Sequence, residues 1–101
     1  MALFSFDFLR GQVASRLDGD ERRIVELFRD RAVFEALQVG GTDGDWYHFR
    51  KKTFDGWYLV EGVHGFEAYF QERGQISSLA SFATLDAAAT YFFAESGFVR
   101  P

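Results

Sequence analysis

The second half of the chain alternates hydrophobic and polar side chains, which is the two-residue period of a β-strand. Segments with this pattern are WYHFRKKT (residues 46–53), WYLVEGV (57–63), FEAYFQE (66–72) and QISSLASF (75–82). The dipeptides between these segments suit tight turns: Asp55-Gly56, His64-Gly65 and Arg73-Gly74. Because glycine adopts positive φ without steric cost, each pair can reverse the chain. The pattern therefore predicts a four-stranded antiparallel meander.

The first forty residues instead place hydrophobic side chains three and four positions apart, as on one face of a helix. Over residues 2–17 this stripe contains Phe6, Leu9, Val13 and Leu17. Over residues 21–37 it contains Ile24, Leu27, Phe28, Phe34 and Leu37. Asp18 or Asp20 can cap the second helix, because a side-chain oxygen there accepts a free backbone N–H. Residues 32–39 suit either a helix or a strand.

A third helix is predicted near the C-terminal end, where Thr84 can act as the N-cap and several alanines favour helix. Asp86 lies in the first turn, where an acidic side chain stabilises the helix dipole, and Gly97 suits the end. The expected buried stripe is Leu85, Ala88, Ala89, Phe92 and Phe93. The predicted fold class is α+β: a four-stranded antiparallel meander sheet with two N-terminal helices and one C-terminal helix packed on it. We expect residues 1–101 to form a single domain.

Charge and composition narrow the classes of function. Fifteen acidic and eleven basic side chains give a net charge of −4. Nucleic-acid binding requires a concentrated positive surface, and we interpret the basic run at residues 50–52 as a solvated edge strand. The charge is better suited to a basic protein partner than to nucleic acid. The chain has no cysteine, which excludes disulfides and thiolate metal sites.

The sequence predicts no membrane segment and no cofactor. Asp7 and Arg10 interrupt the apolar N-terminus, which lacks the positive region and cleavage site of a signal peptide. No apolar run approaches the roughly 20 residues that a membrane helix requires, so we expect a cytoplasmic protein. The loop GGTDGD at residues 40–45 lacks the lysine of a phosphate loop and the ligand spacing of a calcium loop.

Two histidines are the candidates for acid–base chemistry. His48 and His64 lie in or beside predicted strands, within possible reach of Glu61 and Glu67. A general base needs a hydrogen-bonded partner in a cleft, and a metal site usually needs three or four convergent ligands. We predict neither a catalytic nor a metal-binding residue. The alternative is a small ligand-binding protein or enzyme that uses His48 or His64 with a carboxylate.

The predicted sheet would present an aromatic and acidic surface on the side away from the core. Strand alternation places Tyr58 and Tyr69 there, with Glu67 beside them. Tyrosine anchors and complementary charge are common at protein interfaces. The predicted partner-binding residues are Tyr58, Glu61, Glu67, Tyr69 and Glu72. An equally simple interpretation is that the N-terminal helices cover this side of the sheet.

The chain from Trp57 to Phe93 contains a series of short motifs: WYLVEG, then YFQERG, a polar strand that ends in SF, and the helix TLDAAATYFF. In this order they resemble small immunity proteins of bacterial polymorphic toxin systems. The resemblance implies a non-catalytic protein that binds and neutralises a cognate toxin domain in the cytoplasm of the producing cell. Many such toxins are basic, and opposite charge would speed their capture.

Oligomeric state is left open between monomer and homodimer. A homodimeric interaction module would join through the exposed edge of the strand predicted at residues 46–53.

Overall fold

The computed structural model describes residues 5–40 and 46–97. Within these residues, three helical pieces at the N-terminal end and one C-terminal helix flank a four-stranded mixed sheet. In chain order the elements are α1 (Ser5–Arg16), a 3-10 helix (Glu21–Arg29), α2 (Arg31–Gly40), β1 (Tyr47–His48), β2 (Gly56–Glu61), β3 (Phe66–Glu72), β4 (Gln75–Phe82) and α3 (Leu85–Glu95). The predicted α+β class is confirmed.

The sheet has the strand order β1-β2-β3-β4, and its last three strands form the antiparallel meander that the alternation predicted. β3 begins and ends at the predicted residues. Arg73 and Gly74 close the β3–β4 turn with φ values of 51° and 78°. Two successive positive φ angles are typical of the type I′ turn, whose twist matches that of a hairpin.

The first strand differs from the prediction in length and direction. β1 contains only Tyr47 and His48, and it runs parallel to β2. The predicted hairpin at Asp55-Gly56 is therefore wrong. Gly56 begins β2 with φ of 139°, and a Cβ there would overlap the carbonyl oxygen of Trp46. The edge proposed for a homodimer is consequently only two residues long as a strand.

The hydrophobic stripe predicted for residues 21–37 has the expected members, but it is divided between two helices. Asp20 begins the 3-10 helix, where its carboxylate accepts the N–H of Arg22 at 3.1 Å. Asp30 ends it in an extended conformation and accepts the N–H of Ala32 at 3.0 Å. Because Asp30 interrupts the helical backbone, α2 starts anew at Arg31. Residues 32–39 are thus helical.

The first and last helices follow the predicted stripes closely. Leu9, Val13 and Leu17 are buried, whereas Phe6 is 39% exposed. In α3 all five expected stripe residues are buried. Thr84 is its N-cap, and the Thr84 hydroxyl accepts the N–H of Ala87 at 3.2 Å.

The main core lies between the helices and one face of the sheet, which we call the helix face. Aromatic rings fill much of it, with neighbouring centroids 5.0–6.5 Å apart. The contributing rings are Phe28, Phe34, Phe49, Phe92 and Phe93. The opposite face, which we call the outer face, carries a second, smaller cluster of Tyr58, Val60 and Tyr69.

Candidate functional site

The exposed aromatic surface predicted at Tyr58 and Tyr69 is absent, because both side chains are buried. Tyr58 is 0% exposed and Tyr69 is 4% exposed. They lie on the outer face, as the alternation predicted, but residues 50–55 cover them instead of helices. The expectation of exposure was wrong because it treated most of this segment as an edge strand, whereas the chain turns after Phe49 and crosses the sheet.

Hydrogen bonds hold residues 50–55, which we call the crossing segment, against Tyr58 and Tyr69. The Tyr58 hydroxyl donates to the carbonyl of Phe54 at 2.6 Å. Gln71 Nε2 donates to the same carbonyl at 3.1 Å and to that of Lys52 at 3.2 Å. The rings of Tyr58 and Tyr69 stack with centroids 4.9 Å apart and 7° between their planes. These contacts give the two tyrosines a structural role.

Burial also changes the acidity of the two phenols. Removal from water disfavours a phenolate, so burial raises the pKa of Tyr58. The same cause raises the pKa of Tyr69 to about 12, and the nearby Tyr58 and Glu67 add to the shift. Both hydroxyls therefore stay protonated at neutral pH.

The three acidic residues of the predicted surface lie apart from one another. Glu67 is on the outer face, with its carboxylate 3.6 Å from Lys51 Nζ. Glu61 lies on the helix face and pairs with Arg31 of α2, which raises the pKa of the Arg31 guanidinium. Glu72 is at the opposite end of the sheet from Glu61, beside the β3–β4 turn. The five predicted residues thus do not form one continuous surface.

The two histidines occupy different environments. His48 is 1% exposed, lies against the Tyr58 ring with centroids 4.7 Å apart, and has Nε2 3.1 Å from the carbonyl oxygen of Asp55. His64 is exposed in the β2–β3 turn and lines an open hollow of about 500 Å³. Lys51 and Glu67 line the same hollow. His64 thus shares a solvent-accessible hollow with a carboxylate, whereas His48 is buried.

An aromatic cluster that the sequence did not single out lies on the helix face near the β3–β4 turn. We call Trp46, Trp57 and Phe70 the aromatic trio. The Phe70 centroid is 5.8 Å from that of Trp46 and 5.2 Å from that of Trp57. Trp46 is 49% exposed and the other two are half-buried. Strand alternation predicts the Trp57–Phe70 pair, but the parallel direction of β1 brings in Trp46.

Glu72 adds a negative charge beside the aromatic trio. It follows Phe70 by two residues on β3, so the two side chains share the helix face. Glu72 is exposed, and within residues 5–40 and 46–97 it has no ion pair. An aromatic surface with an unneutralised carboxylate can bind a cationic side chain.

The outermost strand, β4, leaves hydrophobic side chains uncovered on the outer face. Ile76 is 53% exposed and Leu79 is 56% exposed. They border a shallow hollow of about 250 Å³, whose other side is formed by Lys51 and Lys52. The crossing segment covers β2 and β3 but stops short of these two residues. We call Ile76, Leu79 and Lys52 the β4 strip.

The described part of the chain contains neither a metal-binding cluster nor a membrane-spanning helix. No group of three or more His, Cys, Asp or Glu side chains there could hold a metal ion. None of the helices described is both long enough and apolar enough to cross a membrane.

Comparisons with protein-family models, with curated proteins and with solved structures find no match for the chain. The surface and sequence of the chain itself are therefore the basis for assigning a function.

Proposed function

We propose that the protein is a non-catalytic immunity protein that binds and neutralises a cognate bacterial toxin domain. The observation that carries the proposal is the half-exposed aromatic trio beside Glu72, whose carboxylate has no ion pair among the described residues. The motif series between Trp57 and Phe93 supports it through the resemblance to immunity proteins.

The chemistry of this surface favours a basic partner. Tryptophan side chains are enriched among the residues that dominate binding energy at protein interfaces. An arginine or lysine of the partner can lie over the exposed Trp46 ring, where a cation is attracted to the π-face, while its charge is balanced by Glu72. The net charge of −4 would also accelerate association with a positively charged toxin domain.

The proposal is tested with the reading frame directly upstream of the gene. We expect that frame to encode a large secreted protein with a variable C-terminal domain. Co-expression of the present chain should relieve the growth inhibition caused by that domain, and calorimetry should give a one-to-one complex. An upstream frame of another kind, or a toxic domain that the chain neither binds nor neutralises, would contradict the proposal.

Variants locate the binding surface within that complex. We expect Trp46→Ala to weaken toxin binding by about 30-fold, which corresponds to the roughly 2 kcal/mol typical of an interface anchor. Glu72→Gln should slow association with a basic partner and reduce the salt dependence of the association rate, because it removes a negative charge that no ion pair among the described residues neutralises. Val63→Ala is the matched control, since Val63 is 93% exposed at the other end of the sheet. Unchanged affinity in both test variants would place the binding surface elsewhere.

A second candidate function is binding of a small ligand in the hollow beside His64. The observation that favours it is the convergence of Lys51, His64 and Glu67 around an open volume of about 500 Å³. His64→Ala separates the two functions. An immunity protein that uses the aromatic trio should still neutralise its toxin after this change, whereas a ligand-binding function of this hollow would be impaired.

A further inference from the structure

We propose that the free edge of β4 accepts an extended segment of the partner protein as an added strand. In this arrangement hydrophobic side chains of the segment lie on Ile76 and Leu79, and a carboxylate of the segment reaches Lys52. The inference rests on the proposed function for the identity of the partner, the toxin domain, and it adds the mode of contact.

The backbone of β4 has hydrogen-bonding groups that point away from the sheet. The two-residue turn makes Glu72 and Gln75 a hydrogen-bonded pair. Hydrogen-bonded and non-bonded pairs alternate along an antiparallel ladder, so Ile76 occupies a non-bonded pair with Gln71. The N–H and C=O of Ile76 therefore face the free edge. No other strand in the described part of the chain pairs with that side of β4.

The composition of β4 does little to discourage pairing. Proteins often protect exposed edges with charged side chains or proline, but Gln75–Phe82 contains neither. Between Gln75 and Phe82 the strand contains only serine, alanine, isoleucine and leucine. An eight-residue strand of this kind offers a template for another extended segment.

One irregularity limits where the added strand can pair. Ser78 and Leu79 together oppose Tyr69, which makes a β-bulge, and Ser78 has φ of 54°. The Tyr91 hydroxyl of α3 donates to the Ser78 carbonyl at 2.8 Å and so holds the bulge in place. Because the bulge interrupts the regular alternation, we place the backbone hydrogen bonds of the added strand at Ile76, on the turn side of Ser78, and its side chains extend past the bulge to Leu79.

The side chains of the β4 strip indicate the chemistry of the occupant. Ile76 and Leu79 are more than half exposed on the outer face and suit aliphatic side chains. Lys52 borders the same hollow and has no ion pair within the described residues. A second copy of β4 would bring no carboxylate to Lys52, since Gln75–Phe82 is uncharged. The charge therefore favours a different segment, one that carries an acidic residue, and a partner with net positive charge can still present one.

A peptide tests this edge without the toxin. The probe is a capped peptide with the sequence Thr-Glu-Thr-Val-Thr-Val-Thr-Glu-Thr, so that the glutamates and valines share one face of an extended strand. Either strand direction then places valines on Ile76 and Leu79 and a carboxylate near Lys52. We expect the peptide to shift the amide resonance of Ile76 and to slow its hydrogen exchange. N-methylation of the valine amides should weaken an antiparallel peptide, and N-methylation of the threonine amides a parallel one, by about tenfold, because backbone hydrogen bonds to Ile76 are lost.

Charge reversal tests the role of Lys52. Lys52→Glu should lower the affinity for the glutamate peptide by about fivefold, as expected for the loss of one partly exposed ion pair. A peptide with lysine in place of glutamate should regain that loss against the variant. An unchanged Ile76 amide, or equal binding of the two peptides to both forms of the protein, would overturn the inference.

Leu79→Lys separates this inference from the proposed function. It should abolish peptide binding and weaken the toxin complex. If the peptide does not bind and Leu79→Lys leaves the toxin affinity unchanged, while Trp46→Ala weakens it, the added strand is refuted and the immunity function stands. If the peptide binds but no toxin is neutralised, the edge site stands and the proposed function fails. A concentration-dependent dimer that Leu79→Lys dissociates would show that the occupant is a second copy, which also refutes the inference.

Discussion

The burial of Tyr58 under residues 50–55 makes a sharp prediction about stability. Tyr58 supports the fold from the outer face, so its truncation should lower the free energy of unfolding. If Tyr58 instead lies on an accessible surface, its truncation should affect only the binding of a partner. We choose two substitutions: Tyr58→Ala removes the ring, and Tyr58→Phe removes only the hydroxyl.

The expected magnitudes follow from the contacts. Tyr58 is 0% exposed and stacks on Tyr69, so Tyr58→Ala leaves a cavity of the kind that costs about 3–5 kcal/mol for a large aromatic side chain. Tyr58→Phe loses the 2.6 Å hydrogen bond to the Phe54 carbonyl. That carbonyl keeps Gln71 Nε2 as a donor at 3.1 Å. No acceptor is left unsatisfied, and the loss should be about 0.5–1.5 kcal/mol.

Urea unfolding followed by circular dichroism measures both losses. A domain of this size is expected to have a total stability of about 5–15 kcal/mol, so the alanine variant should be strongly destabilised and can be partly unfolded at 25 °C. The phenylalanine variant should stay folded, with a melting temperature lowered by about 4–8 °C for each kcal/mol. Val63→Ala is the control, because a 93% exposed side chain should change stability by no more than about 0.5 kcal/mol.

A small effect of the alanine substitution would refute the reasoning. If Tyr58→Ala lowers the free energy of unfolding by less than about 1 kcal/mol, residues 50–55 do not seal the outer face. Tyr58 would then be available to a partner, as the strand alternation alone had indicated. A graded series, with alanine far below phenylalanine and phenylalanine slightly below the wild type, is the result that the structure requires.

Three further predictions address the turn into β2, the helix cap and the buried phenols. Gly56→Ala should destabilise the protein by more than about 1 kcal/mol in urea unfolding, since φ of 139° is strained for alanine and its Cβ would meet the Trp46 carbonyl; equal stability would contradict the β1–β2 geometry. Thr84→Ala should cost about 1 kcal/mol by removing the N-cap bond to Ala87, and Thr84→Ser should recover most of it. Burial raises the pKa of Tyr69 from about 10 in the unfolded chain to about 12, so its contribution to stability is complete below about pH 10 and is lost as the pH rises towards 12. Unfolding midpoints across this range should fall more in the wild type than in Tyr69→Phe, which retains only the smaller contribution of Tyr58.

The helices show how much of the structure can be predicted from local sequence patterns. Thr84, the stripe from Leu85 to Phe93 and the positive φ of Gly97 all agree with the sequence-based prediction. Helical periodicity and capping depend on residues within one or two turns of each other, so a single sequence contains the relevant information. The division of the second helix at Asp30 was harder to predict from the sequence, because the hydrophobic stripe continues across the break.

The strand prediction shows where local information ends. FEAYFQE and the turn at Arg73-Gly74 were correctly assigned, since hairpin partners are neighbours in sequence. The residues 46–53 were assigned to a long antiparallel strand, but the chain leaves the sheet after His48. A period of two predicts that a strand forms, and it does not determine which strand it pairs with or in which direction.

The sequence by itself determined the α+β class, the N-cap Thr84, the hairpin turn of β3 and β4, and the face on which each side chain of β3 lies. Only the tertiary structure decided what covers each face. The crossing of residues 50–55 buried the predicted tyrosine surface, and the parallel pairing of β1 brought Trp46 onto Phe70. Exposure depends on contacts between segments that are distant along the chain, and these contacts form only when the whole core is assembled.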